Sequence, residues 1–323
     1  MIGLMVKQAG PMVTVQDLGR RGLQHAGVSG SGPMDVPSFR IANALVANAK
    51  GEAALEFAGT GGTFQVSRPV RFAVTGGAVG IRIDDKAVRP WESHDLFPGS
   101  TLVIGGLRNA VWGYLAISGG IDTPPVLGSR ATHLRSGLGG HQGRRLQAGD
   151  SLPLGDAVSS PHLCLRTPWR SAQRFIHIVP GPQDDYFDTQ AWAIFLGQPF
   201  IVSAMRDRMA QMLDGPVLLS RRGHDIVSDG TAPGSIQVPG SGRPIVLMAE
   251  RQTTGGYPKI ATVASVDLPR LAQTPSGRDI RFRRVSRERA EDLLIAEKLA
   301  LGDALANLAE KSAILDASGD HPQ

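Results

Sequence analysis

The chain has 323 residues, of which 41% are hydrophobic and 20% are charged. This composition is typical of a globular protein with a sizeable core, in one large or two medium domains, and it excludes a disordered chain. The 40 glycines and 22 prolines indicate many turns between short strands. The net charge of +5 comes with no nucleic-acid motif, and the basic residues are not regularly interleaved with aromatic ones. We therefore expect a small-molecule substrate and no nucleic-acid partner.

Cysteine usage and hydropathy predict a cytoplasmic protein. Cys164 is the single cysteine, which excludes an intramolecular disulfide and fits a reducing compartment. The N-terminal apolar run is too short for a signal peptide, and no run reaches the ~18 apolar residues expected of a membrane helix. Because no such run occurs, we predict no membrane partner. The histidines show no metal-ligand spacing, so we also predict no metal site.

Short apolar runs separated by turn residues dominate residues 1–285. Their spacing leaves too little chain for repeated βαβ crossovers, each of which needs about a dozen residues. The pattern therefore predicts a mainly β, antiparallel, barrel-like fold. The clearest predicted strands are 70–74, 79–83, 101–104, 111–117, 175–179, 236–238 and 244–248.

Helical patterns are few. The first follows Asp35, a good N-cap residue, and tolerates Pro37 in its first turn. The second runs from Gln183 to Leu196, where apolar residues recur along one stripe. The third extends from Ser286 to about Leu315 and is rich in Ala, Leu, Glu and Lys, with Gly302 expected to dent or split it.

The strand pattern is interrupted near residues 155–172. We therefore divide the chain into an N-terminal β half, residues 1–160, and a C-terminal β-barrel half, residues 161–285. A C-terminal helix and tail, residues 286–323, complete the predicted organisation.

Common catalytic motifs do not fit. The chain has no G-x-x-x-x-G-K-[ST] phosphate loop and no H-E-x-x-H. The segment 27–31 resembles a nucleophile elbow until its fifth position, where Ser31 stands in place of the required glycine. The glycine-rich segment 137–143 is not followed by a helical pattern, which disfavours dinucleotide binding.

The densest polar and glycine-rich stretch is residues 15–35. Asp17, Arg20, His25 and Asp35 supply two carboxylates, a fixed cation and a titratable base. The glycines between them allow backbone N–H groups to approach an anion. A purely structural alternative stays open, in which Asp17 and Arg20 pair to fix a tight turn.

Two further polar stretches lie in the C-terminal half, at 226–239 and 249–259. Asp229 opens an Asp-Gly turn signal in the first, which also contains Gln237. In the second, Gln252 and Thr253 precede a glycine pair and Tyr257. Because a glutamine side chain both donates and accepts hydrogen bonds, these residues could recognise an amide. A simple β-turn is the alternative for each stretch.

These stretches and several shorter motifs occur in the order found in one known family. The motifs are Gln16-Asp17-x-Gly19-Arg20, Gly27-Val28-x-x-Ser31-Gly32-x-Met34-Asp35, Ala54-Leu55-Glu56, Gly119-Gly120-Ile121, Leu127-Gly128-Ser129-Arg130-x-Thr132, Gly181-Pro182-Gln183, Ser228-Asp229-Gly230, Gln237-Val238-Pro239 and Gln252-Thr253-Thr254-Gly255-Gly256-Tyr257-Pro258. With them, the chain resembles the allophanate-hydrolase-subunit-2, or biotin-dependent carboxyltransferase, family. That resemblance implies a cyclophilin-like β-barrel architecture.

The resemblance also implies a function. Stand-alone bacterial members include KipA and the C-subunit of 5-oxoprolinase, which works with a sister B-subunit and a lactam-opening A-subunit. The implied function is that of one subunit of an ATP-dependent 5-oxoprolinase, a hydrolase that opens 5-oxoproline to glutamate with ATP, as its magnesium complex, as cofactor.

Two alternatives remain open. Relatives fused into urea carboxylase imply a carboxyltransferase subunit that acts on a urea-like substrate with biotin carried by another protein. KipA-like relatives imply a regulatory protein that binds a KipI-like inhibitor of a histidine kinase.

Applied to this sequence, the resemblance and the residue chemistry together suggest roles for the candidate residues. Asp17 and His25 are the predicted acid/base pair, with Arg20 and Arg130 as anion clamps. Gln237, Gln252 and Tyr257 are the predicted amide-recognising residues, and Asp35, Asp229 and Thr253 complete the binding set. The chain departs from the family at Ala210-Gln211-Met212, where relatives usually carry a glycine and an arginine, and this departure could alter the substrate.

Overall fold

The computed structural model describes residues 3–169 and 175–311. They form two compact units that are discontinuous in sequence. The first contains residues 3–20, 31–169 and 300–311, and the second contains 21–30 and 175–299. Among the described residues, no helix combines the length and the apolar character needed to cross a membrane.

The first unit is built from two antiparallel sheets. The strands are β1 (Gly3–Ala9), β2 (Val13–Gln16), β3 (Ala54–Ala58), β4 (Thr60–Val66), β5 (Val70–Thr75), β6 (Ala78–Ile83), β7 (Lys86–Val88), β8 (Ser93–Leu96), β9 (Leu102–Arg108), β10 (Trp112–Ile117), β11 (Ser151–Pro153) and β12 (Leu163–Cys164). One sheet has the strand order β11-β1-β4-β9-β6-β7 and the other β2-β3-β10-β5-β8. Both sheets contribute to one apolar core, with Leu4 and Phe64 from the first and Leu55 and Leu115 from the second.

Helix α1 (Val36–Leu45) begins where the sequence predicts. The Asp35 side chain caps it by accepting a hydrogen bond from the backbone N–H of Ser38 at 3.1 Å. Pro37 lies in the first turn, where its missing N–H is not needed. Phe39 is fully buried on the inner face.

The second unit is dominated by one eight-stranded sheet. The strands of this unit are β13 (Ile176–Pro180), β14 (Phe200–Arg206), β15 (Ala210–Asp214), β16 (Asp229–Gly230), β17 (Ser235–Gln237), β18 (Ile245–Leu247), β19 (Thr254–Gly255), β20 (Lys259–Val263), β21 (Asp279–Ile280) and β22 (Phe282–Arg284). The sheet has the order β21-β14-β15-β18-β17-β20-β13-β22. Strands β16 and β19 form a separate two-stranded ribbon.

The eight-stranded sheet nearly closes into a barrel. Its two edge strands, β21 and β22, are consecutive in the chain with Arg281 alone between them. Phe195, Phe200 and Phe282 pack together in its core, with 4.6 Å between the ring centroids of Phe195 and Phe282. The mainly β, barrel-like fold predicted from strand spacing is confirmed. Among the described strands, the parallel β13–β22 pair departs from the antiparallel pattern.

The remaining helices differ in detail from the prediction. Helix α2 (Thr189–Gly197) begins later than predicted, because Asp184–Tyr186 forms a separate 3₁₀ turn and Asp188 caps the helix through the N–H of Ala191 at 2.8 Å. A short helix, α3 (Leu268–Gln273), was not predicted.

The predicted C-terminal helical segment is present as helix α4 (Arg287–Ala306). It continues through Gly302, so the expected break there is wrong. Its predicted end near Leu315 is also wrong, and residues beyond 311 lie outside the described part of the chain. Strand β23 (Ala309–Glu310) follows the helix and pairs with β12 in the first unit.

The loop before β11 gives a pH-dependent stability prediction. Arg144 forms two hydrogen bonds with Asp150, at 2.7 and 2.8 Å, and these lower the pKa of Asp150 from 3.8 to about 2. Because the folded-state pKa is depressed, the stabilisation is fully present above pH ~4 and is lost as the pH falls towards about 2. We expect Asp150→Asn to lower the free energy of unfolding by about 1–2 kcal/mol at pH 7. Denaturant titrations of both proteins should converge as the pH is lowered from 4 to 2, and a constant difference would contradict the ionic origin.

Candidate functional site

The predicted site residues fall into two groups, one in each unit. Asp17, Arg20, Asp35 and Arg130 belong to the first unit, and the others belong to the second. The second group is His25, Asp229, Gln237, Gln252, Thr253 and Tyr257.

The Asp17 carboxylate joins two segments of the first unit that are distant in sequence. One oxygen accepts hydrogen bonds from the N–H of Gly19 at 2.8 Å and the hydroxyl of Ser129 at 2.5 Å. The other accepts from the N–H of Arg130 at 2.5 Å. These contacts hold the turn after β2 against residues 129–130. Its predicted acid/base role stays a prediction.

Arg20 and Arg130 also lie beside the 126–130 segment. Arg20 is buried and donates from Nε to the carbonyl of Val126 at 3.0 Å and from Nη2 to that of Ser129 at 3.3 Å. The Arg130 guanidinium donates to Asp122 Oδ1 at 2.5 Å. The structure thus brings Asp17, Arg20 and Arg130 together as predicted neighbours, while their action on an anionic ligand stays a prediction.

Asp35 belongs to a buried polar network that the sequence did not predict. Its backbone N–H donates to the hydroxyl of Tyr114 at 2.7 Å, and that hydroxyl donates to Glu56 Oε2 at 2.8 Å. Burial, together with the neighbouring Glu56 charge, raises the pKa of Tyr114 well above its usual value. The network fixes the loop that precedes α1, and Asp35 acts in it as the helix cap.

Residues 21–30 form part of the second unit, and Gln24 anchors them there. Its Nε2 donates to the carbonyl of Thr231 at 2.6 Å, and Arg251 Nη2 lies 3.5 Å from its Oε1. Burial lowers the pKa of Arg251. His25, next to Gln24 in a 3₁₀ turn, is exposed. The sequence did not single out Gln24 or Arg251, because their contacts join residues more than 200 positions apart.

Gln237 and Gln252 form a direct side-chain pair in the second unit. Gln252 Nε2 donates to Gln237 Oε1 at 3.3 Å, and Gln237 is 2% exposed. Within the described residues, the other end of each amide, Gln237 Nε2 and Gln252 Oε1, has no hydrogen-bond partner. Among the described residues the pair therefore leaves one buried donor and one buried acceptor unsatisfied, which is costly unless a water molecule or a ligand pairs with them. If the nitrogen and oxygen positions are exchanged in both amides, one donor and one acceptor still lack a partner among the described residues.

Gly255 in β19 lies against the unsatisfied end of Gln237. A Cβ atom at this position would be 2.3 Å from Gln237 Nε2. Thr231, in turn, donates from its hydroxyl to the carbonyl of Gln252 at 2.5 Å and holds that residue's backbone. The absence of a side chain at Gly255 thus permits the orientation of the Gln237 amide.

Lys259 is a buried residue next to Asp229 that was not predicted from the sequence as a site residue. It is 1% exposed, and its Nζ donates to Asp229 Oδ2 at 2.8 Å. This hydrogen bond is the main reason that the pKa of Asp229 is lowered. A lysine after Tyr257-Pro258 gives no sequence signal of burial, since lysines are mostly exposed.

A β-bulge places Lys259 beside Gln237. In the pairing of β17 with β20, Ile236 is opposite Ala261, but Gln237 is opposite Lys259, so Ile260 is skipped. Because side chains alternate between the faces of a strand, this extra residue brings Lys259 to the face of Gln237. Directly opposite residues have Cβ atoms about 5 Å apart. Lys259 is therefore a sheet neighbour of Gln237, and its ammonium group bonds to Asp229, which is opposite Gly255. Asp229, Gln237, Gln252 and Lys259 are called the cluster below.

Thr253 and Tyr257 lie near this cluster in sequence, with different environments. The carbonyl of Thr253 accepts a hydrogen bond from the N–H of Thr231 at 3.0 Å. Tyr257 is 41% exposed. The structure thus brings together Asp229, Gln237 and Gln252 of the predicted binding set. The binding roles of Thr253 and Tyr257 stay predictions.

The segment that departs from the family pattern is strand β15. Gln211 is buried, and its Nε2 donates to the carbonyl of Leu271 at 3.3 Å. Met212 is opposite Ile245 in the β15–β18 pairing. The substitution is thus accommodated by the sheet, and its effect on the substrate stays a prediction.

Comparisons with known proteins find similarity over most of the chain. The model of the family described as "Carboxyltransferase domain, subdomain A and B" matches residues 26–284. The chain is 38% identical to the 5-oxoprolinase C-subunit of Escherichia coli over 287 residues, which are 89% of this chain and 93% of the relative. It is 36% identical to the Haemophilus influenzae protein of the same name, over 87% of this chain and 90% of the relative.

A solved structure extends the comparison to a larger enzyme. The fold is similar to that of Kluyveromyces lactis urea carboxylase, with a TM-score of 0.84 and 28% identity. The match covers 96% of this chain and 29% of the urea carboxylase chain. This chain therefore corresponds to less than a third of that enzyme.

Proposed function

Because the chain belongs to the carboxyltransferase-domain family with subdomains A and B, we propose that it is one subunit of an ATP-dependent 5-oxoprolinase. The two relatives at 36–38% identity over most of both chains are named as the C-subunit of 5-oxoprolinase, which supports a subunit role. In the proposal, the chain acts together with its sister subunit, the B-subunit, and with the lactam-opening A-subunit. We place the complex in the cytoplasm, since a chain with one cysteine has no internal disulfide to gain from an oxidising compartment.

The observation that carries the proposal is the unsatisfied glutamine pair. A lactam such as 5-oxoproline presents a carbonyl oxygen and an N–H group side by side, and Gln237 Nε2 and Gln252 Oε1 offer the complementary donor and acceptor. A site with buried polar groups of this kind rejects molecules that leave them unpaired.

The same pair would assist phosphorylation of the lactam. The lactam oxygen bonds to the γ-phosphorus of ATP while the bond from that phosphorus to the bridging oxygen breaks and ADP leaves. As the oxygen attacks, positive charge develops on the lactam N–H group. Gln252 Oε1, accepting a hydrogen bond from that N–H, stabilises the charge more strongly in the transition state than in the ground state.

The test is reconstitution. The chain, purified together with the sister and lactam-opening subunits from its own source, should release ADP when 5-oxoproline is added and form one glutamate per ADP. Omitting this chain should abolish the coupled reaction. ADP release without 5-oxoproline dependence, or with urea as the stimulating compound, would sink the proposal.

A second candidate function is favoured by the structural match to urea carboxylase. In that case the chain would accept a carboxyl group from biotin carried on another protein and transfer it to urea or another amide. Urea also carries an N–H group beside a carbonyl, so it would satisfy the same glutamine pair. Carboxylation of urea that requires a biotinylated partner would identify this activity.

A further inference from the structure

The ammonium group of Lys259 has more hydrogen-bonding capacity than its surroundings use. The group has three donors, and Asp229 accepts one hydrogen bond. No second acceptor for Lys259 Nζ lies within the described residues, although the lysine side chain is only 2% exposed. A buried cation with unused donors is unfavourable unless a water molecule or a ligand supplies further acceptors.

The partner of Lys259 is poorly suited to neutralise it in a purely structural role. The Asp229 side chain is 50% exposed, so water screens its charge, while Lys259 is enclosed. Burying a cation has a large desolvation cost that a half-exposed carboxylate offsets only in part. The arrangement is consistent with a cation that is held ready for a second anionic group.

From the position of Lys259 beside the unsatisfied glutamine pair, we infer that it binds the carboxylate of the substrate. The subsite then recognises a small molecule that carries an amide N–H, its carbonyl and a nearby carboxylate. This inference rests on the proposed function and adds a specificity determinant to it. Gln237 and Gln252 recognise the amide edge, which 5-oxoproline and urea share, whereas Lys259 recognises the carboxylate, which urea lacks.

A carboxylate fits this position better than a phosphate group. Phosphate sites commonly combine several backbone N–H groups or a guanidinium fork, whereas Lys259 supplies one point charge. Its partner Asp229 carries a negative charge next to the same ammonium, which disfavours a ligand with a charge near −2. A single carboxylate leaves the smaller excess of negative charge.

The experiment compares 5-oxoproline with its primary amide, in which an uncharged group of the same size replaces the carboxylate. Dissociation constants are measured by calorimetry with three complete complexes. They contain the wild-type chain, the Lys259→Met variant or the Lys259→Gln variant. The wild type should prefer 5-oxoproline by about 10- to 100-fold, in line with a charged hydrogen bond. Both variants should lose this preference and bind the two compounds within about 3-fold of each other.

The control is Lys298→Met, the same substitution at an exposed lysine of helix α4, which should retain the full preference. Lys259→Gln retains a donor towards Asp229, so it separates loss of charge from loss of the internal hydrogen bond. The inference is overturned if the wild type shows no preference, if the variants keep it, or if they weaken both ligands equally. Failure of the proposed function is a different result, in which the wild-type complex does not bind 5-oxoproline at all.

Discussion

Gly255→Ala should lower kcat/KM for 5-oxoproline-dependent ADP release by about 10- to 100-fold while leaving the fold intact. The new Cβ would lie 2.3 Å from Gln237 Nε2, so the amide must turn away from its position. The glycine backbone is not in the left-handed region, so alanine is conformationally acceptable at this position. Because the obstructing atom is the end of a flexible side chain, the melting temperature should change by no more than about 2 °C.

The matched control is the next residue in the chain. In Gly256→Ala the new Cβ has its nearest neighbour, the carbonyl oxygen of Ile226, at 3.6 Å, which is an ordinary contact. This variant should keep wild-type turnover and stability. Wild-type kcat/KM in Gly255→Ala, with the protein folded, would remove the glutamine pair from the substrate site.

The contrast between Gln237 and Lys259 shows where sequence information ends. Gln237 and Gln252 could be selected from the sequence, because polar residues beside turn glycines are typical of ligand sites and because their motifs match a known family. The position of Lys259 depends on a bulge that skips Ile260 in the pairing with β17. A one-residue shift of this kind reverses the face of a side chain and leaves no trace in local composition.

Much of the fold could be predicted because the strands are encoded by local sequence. Strands such as β5 and β10 carry their own pattern of apolar runs and turn residues, so their existence follows from local sequence. The start of α2 was placed too early because the apolar stripe continues upstream of the cap, and the better N-cap, Asp188, decides the boundary. Asp17 is a candidate site residue from the sequence, but its contacts with Ser129 and Arg130 bridge more than a hundred residues. Only the tertiary fold supplies such contacts.

The cluster therefore combines two kinds of determinant. In the proposed function, the glutamine pair recognises the amide edge that 5-oxoproline and urea have in common, so it is compatible with either proposed activity. Lys259 is opposite Gln237 in the same sheet. In the inference drawn above, it distinguishes a charged substrate from a neutral one.

Glu250→Ala should produce the largest loss of stability, about 3–5 kcal/mol in the free energy of unfolding. Glu250 and Arg208 form an ion pair at 2.5 Å, with side chains 3% and 1% exposed. Removing the carboxylate takes the attraction to Glu250 away from an arginine charge that stays inside the protein, and that attraction is not recovered from water. Unfolding in guanidinium chloride, followed by circular dichroism, measures this change in the free energy of unfolding.

Two further variants separate the cost of a buried arginine that has lost Glu250 from the value of the ion pair itself. The double variant Arg208→Met/Glu250→Leu buries apolar groups in place of both charges and should recover most of the stability lost in Glu250→Ala. Asp185→Asn breaks an ion pair with Arg222 whose side chains are 53% and 60% exposed, and it should cost no more than about 1 kcal/mol. If the double variant is as unstable as Glu250→Ala, the explanation by a buried charge is contradicted. The ion pair itself would then be the source of the stability.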